Sequence, residues 1–169
     1  ALVSGDAVGV GASGTVSIAT GVSEQGSSGG ITVQTASSDQ ISAGNIDVQV
    51  GASGSGKGSA LSMHGGSSAT NTAEAGGVYI VGGTAHGVAA TGGTVSITSG
   101  QAGSKGTSGD ITVDSADGDG SGAITVHTGT ASRLASGAIS LRSGSTSANQ
   151  AGSISVHAGF SQSGAAADV

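Results

Sequence analysis

The chain has 169 residues, 35 of them Gly, with no Pro, Cys or Trp and a single Tyr, Phe and Met. Charged residues make up 8%, against about a quarter in an ordinary soluble domain, and the net charge is -6 with only four basic residues. A disulfide scaffold, a collagen helix, an aromatic-rich core and a nucleic-acid surface are thereby excluded, and no apolar run approaches the roughly 20 residues of a membrane span.

What remains is a disordered Gly/Ser linker or a repeat protein. Linkers are aperiodic and poor in β-branched residues. This chain carries ten runs of two apolar anchors separated by one residue. In order they are Val16-Ser17-Ile18, Ile31-Thr32-Val33, Ile46-Asp47-Val48, Leu61-Ser62-Met63 and Val78-Tyr79-Ile80. They continue as Val95-Ser96-Ile97, Ile111-Thr112-Val113, Ile124-Thr125-Val126, Ile139-Ser140-Leu141 and Ile154-Ser155-Val156. First anchors follow one another at 15, 15, 15, 17, 17, 16, 13, 15 and 15 residues. A period near 15 marks a repeat array.

The repeat has further fixed positions. Gly stands two residues before the first anchor, except for Ser59 in the fourth run. A small residue usually stands four residues after the first anchor, and Gly or Ala stands five after. Alternation of period two predicts strands with the anchors inward and the middle Ser or Thr outward. Fifteen residues are too few for a strand plus a crossover helix. They predict one coil of a β-solenoid, with parallel strands about 4.8 Å apart and Ile/Val ladders along the stack. The expected fold is thus all-β: one continuous solenoid over residues 1–169, about 11 coils, no helices, Gly at the bends. The 17- and 13-residue steps are expected to be absorbed in those bends.

The phase of the repeat extends to both ends. Leu2 precedes Gly5 as Ile18 precedes Gly21, which makes Leu2 a second anchor. Val169 falls 15 residues after Ile154, as a first anchor. Joining Asp168-Val169 of one unit to Ala1-Leu2 of the next completes an anchor run. The sequence therefore predicts an array uncapped at both ends, stacking head to tail with copies of itself through Ala1, Leu2, Asp168 and Val169. Such a heterologous contact does not close. An arbitrary piece of a longer array is the alternative.

Chemistry-bearing motifs are sparse. Gly9 to Gly14 matches the letters of a dinucleotide fingerprint, but with so much Gly a chance match is expected and no strand-to-helix context is present. Gly51 to Lys57 resembles a P-loop start, yet Gly58 stands where Ser or Thr is needed. Gly26-Ser27-Ser28-Gly29-Gly30 fits a nucleophile elbow without a His/Asp pairing to serve it. His64, His127 and His157 share one repeat position; two coils separate the last two, roughly 9.6 Å, too far for one zinc ion. Asp114, Asp117 and Asp119 form the densest acidic stretch and are the one candidate for Ca²⁺, although the pattern does not recur in other repeats. No catalytic residues, no resident metal and no cofactor are expected. A regular Thr-x-Thr face for ice binding is missing, since only Thr98 is Thr three residues after a first anchor. No Asn-x-Ser/Thr sequon exists; the many Ser and Thr leave O-linked glycans open.

Segments such as Gly109-Asp110-Ile111-Thr112-Val113 and Ala151-Gly152-Ser153-Ile154-Ser155-Val156-His157-Ala158-Gly159 carry a resemblance. They look like repeats in very large Gly/Ser/Thr/Ala-rich surface proteins of algae and related protists. Similar repeats occur in some phage and bacterial fibre proteins. The resemblance covers the whole chain and implies an extracellular structural fibre or coat, with no catalytic residues. The expected function is accordingly that of a building block in an extracellular filament or cell-surface fibre, not an enzyme. The alternative class is an ice-binding or carbohydrate-adhesive binding module.

Overall fold

A computed structural model describes residues 1–54, 56–70 and 73–159. Among these residues there is neither helix nor strand; the backbone is irregular chain broken by bends and turns. The all-β solenoid predicted from the period is therefore not formed. No described residue is buried, so the expected Ile/Val core is absent. Ile31, Val33, Ile46, Val48, Ile111, Val113, Ile124, Val126, Ile139, Leu141, Ile154 and Val156 are all exposed. The expected exposure of Thr32, Thr112 and Thr125 is met, but no longer distinguishes an outer face from an inner one.

The physical reason lies in what a single repeat has to offer. Ordering a backbone costs about 1–2 kcal/mol per residue, and most for Gly. Two aliphatic anchors per repeat supply little apolar area against that, with almost no aromatic surface to add. Strand pairing between successive runs is the missing gain.

The period nevertheless has a structural counterpart. In all ten complete runs the first anchor is less exposed than the second. Val16 is 47% exposed against 67% for Ile18, and Ile154 is 49% against 64% for Val156. The first anchor lies two residues beyond a constriction that we call the neck. There, the Gly preceding one run approaches the small residue that ends the run before it.

The chain divides into two units, Ala1–Gly92 and Gly93–Val169. In the first unit a Cβ on Gly14, Gly29 or Gly44 would stand 3.4 Å from Ser4 Cβ, 3.5 Å from Thr20 Cγ2 and 3.7 Å from Thr35 Cγ2, respectively. Gly65 and Gly76 approach closer still: a Cβ on Gly65 would collide with the Gly76 carbonyl oxygen. In the second unit a Cβ on Gly109, Gly122, Gly137 or Gly152 would stand 3.6–3.8 Å from the side chain of Ser99, Ser115, Thr128 or Ser143, respectively. Two necks also carry a backbone hydrogen bond, Gly76 N–H to Gly66 O at 2.8 Å and Gly109 N–H to Gly100 O at 3.0 Å.

Six described residues are half-buried: Ser4, Gly82, Ser99, Ala102, Ser115 and Thr128. All but Ala102 occupy the neck position four residues after a first anchor. Val50 holds that position in the repeat where Ser59 replaces Gly, and at 37% it is the least exposed of the large apolar residues. Between necks the chain forms loops whose ends are close, as in an Ω-loop. Two irregular steps fall inside such loops: Gly65 still meets Gly76 across the 17-residue step from Leu61, and Ser115 meets Gly122 across the 13-residue step from Ile111.

Two local devices shape the loop tips. Where Ser or Thr stands seven residues after the first anchor, its hydroxyl accepts from an amide just ahead. Ser23 accepts from Gly26 N–H at 3.1 Å, Ser38 from Ile41 at 3.3 Å, Ser68 from Thr70 at 3.4 Å, and Thr146 from Asn149 at 3.3 Å. These are hydroxyl-closed turns, which Ser and Thr favour. In the repeats where that position is Ala85 or Ala102, a backbone turn follows instead, whereas Ala131 in the same position is followed only by bends. Ala90 N–H reaches Gly87 O at 3.2 Å, and Gly106 N–H reaches Gly103 O at 3.1 Å. The third residues of these turns, Ala89 (φ 63°) and Lys105 (φ 84°), take the left-handed conformation of a type II turn, a place suited to Gly.

Candidate functional site

The repeat presents its polar groups as a linear series of exposed positions. His64 and His127 are exposed and have no hydrogen-bonding partner among the described residues. His157 differs: its Nε2 lies 2.5 Å from Ser155 Oγ. A Ser–His contact is the first half of a nucleophile pair. Here both groups are exposed, and no described carboxylate orients the ring. The contact joins the imidazole to a hydroxyl of its own run.

Asp114, Asp117 and Asp119 are all exposed. Among the described residues no three His, Asp or Glu side chains gather closely enough to hold a metal ion. The Asp stretch is strung along one loop and its neck, so the carboxylates are near in sequence without converging. Ala1 and Leu2 are exposed, Leu2 at 74%. Asp168 and Val169, the other half of the expected junction, lie outside the described residues.

One open groove of about 700 Å³ is lined by Ser140, Arg142, Ser143, Gly144 and Ser145. It follows the end of a single run and the beginning of its loop. It offers one guanidinium and three hydroxyls, a hydrogen-bonding surface with no carboxylate or imidazole to move a proton. No described helix is long and apolar enough to cross a membrane.

The sequence consensus had already marked the small residue and the Gly that form the necks, but as bends between strands. The hydroxyl turns were missed. Their signal was available: Ser23, Ser38, Ser68 and Thr146 recur at one repeat position. Comparison of the chain with protein-family models, curated proteins and solved structures finds no match.

Proposed function

We propose that this chain is a structural protein, a building block of an extracellular filament or cell-surface fibre made from copies of itself. The observation that carries the proposal is the exposure of every anchor in ten regularly spaced runs. Aliphatic side chains left in water at a fixed period gain free energy when a partner covers them. A second copy presents the same anchors at the same period, so two chains offer matching apolar series. Composition supports the same role: few charges and small side chains. The resemblance to algal and protist surface repeats supports an extracellular location.

Electron microscopy of the purified chain over a range of concentrations tests this. Fibres that appear above a threshold concentration are expected. Particles that remain dispersed at all concentrations, and bind ice or a polysaccharide as monomers, would overturn it in favour of a binding module.

A further inference from the structure

The loop between Ser115 and Gly122 is the shortest in the array, and no hydrogen bond closes it. Its position seven residues after the first anchor is Gly118, so no hydroxyl closes a turn there. Residues Gly118 to Gly120 form bends, and no hydrogen bond engages the Gly118 or Gly120 amide. Asp117 and Asp119 are exposed immediately before these two glycines.

We propose that Asp117–Gly118 and Asp119–Gly120 are sites of spontaneous aspartyl isomerisation. The nitrogen of the following Gly attacks the aspartyl Cγ. A C–N bond forms on the carboxyl protonated by solvent, and its hydroxyl group leaves together with the amide proton as one molecule of water, giving a five-membered succinimide. Solvent water then adds back. Opening at the β-carbonyl restores aspartate. Opening at the α-carbonyl breaks the original peptide C–N bond and leaves the chain running through the side-chain carboxyl. The product is isoaspartate, equal in mass and charge, with one methylene added to the main chain. No metal, oxidant or partner is needed.

Three features favour these two bonds. The attacking nitrogen belongs to Gly, whose missing Cβ leaves its approach unhindered. The other aspartates precede Ala7, Gln40, Val48, Ile111, Ser115 and Val169, each of which carries a side chain beside the attacking nitrogen. The amides concerned are unpaired, whereas Gly26 and Ile41 in the corresponding parts of other loops are held by Ser23 and Ser38. Finally, no helix or strand keeps the aspartyl side chain away from the next nitrogen.

The full chain is incubated at neutral pH and physiological temperature, digested, and followed by liquid chromatography with electron-transfer fragmentation. Peptides containing Asp117 and Asp119 are expected to split with time into mass-identical isomers, preceded by a species lacking one water. Asp47 and Asp110 serve as internal controls and should stay unchanged. Gly120 has nothing within 4 Å of its Cβ position, so Gly120→Ala is free of strain. It should slow isomerisation at Asp119 about tenfold, equivalent to roughly 1.4 kcal/mol in the ring-closing step, and leave Asp117 as before. Isoaspartate absent from both sites, or spread equally over Asp39, Asp47 and Asp110, would overturn the proposal.

Discussion

The Gly76 amide donates to the Gly66 carbonyl oxygen at 2.8 Å, joining the residue two before one first anchor to the residue five after the previous one. Gly109 and Gly100 make the same link in the second unit. Gly65 forms one side of the first of these necks. Gly65→Ala should therefore open it, because the new Cβ runs into the Gly76 carbonyl, a backbone group that cannot swing aside. Amide hydrogen exchange at Gly76 should accelerate to the rate of the free chain, while Gly109 is unaffected. Unchanged protection of Gly76 would show that the neck is not closed in this way.

With no buried residue among those described, there is no cooperative core to lose. Urea should change the far-ultraviolet circular dichroism of the dispersed chain gradually, without a midpoint. A small two-state domain instead shows a sigmoidal transition with a slope of about 1–3 kcal/mol per molar urea. Such a transition in the dispersed chain would contradict the open structure described here.

Ile124 is 54% exposed, so its replacement has little to disturb within one chain. Ile124→Asp should leave the circular dichroism of the dispersed chain unchanged. Assembly should respond differently, since an unpaired carboxylate carried into an apolar contact costs several kcal/mol. The threshold concentration for fibres should rise by at least about tenfold, the equivalent of roughly 1.4 kcal/mol. Sedimentation of assembled material against total concentration reads this directly, and equal thresholds would remove Ile124 from the contact.

Lys105 occupies the left-handed position of the turn closed by Gly106 and Gly103. L-residues other than Gly lose about 1–2 kcal/mol there. Lys105→Gly should populate the turn more fully and slow exchange of the Gly106 amide about fivefold at the lower figure. Faster exchange would show that the lysine side chain, not the backbone, holds this turn.

The positions of the necks were legible in the residues; the strands expected between them, and their assembly into a sheet, are not found among the described residues. The neck positions are visible as the small-residue and Gly columns around each anchor pair, from Ser4 and Gly14 to Ser143 and Gly152. The turn-closing hydroxyls of Ser23 and Ser38 are equally local, since each bonds three residues ahead. Strand pairing is a different kind of fact. Alternation in Ile31-Thr32-Val33 says which side chains would share a face, but a face is buried only when another run lies against it. That depends on a balance between non-local pairing and the entropy of a Gly-rich chain. The Asp114–Asp119 stretch shows the same limit on the site: proximity along the chain did not bring its carboxylates together.

The necks separate what is fixed from what is free. Ser143 meets Gly152, and Ser115 meets Gly122, although the chain between each pair differs in length. Loop-closure entropy grows by only about 0.6 kcal/mol for each doubling of length. A foreign peptide spliced between Ser143 and Gly152 would therefore leave both ends of its neck in place, beside anchors that do not notice it. Length can thus vary between the two sides of such a neck at little cost to the runs that flank it.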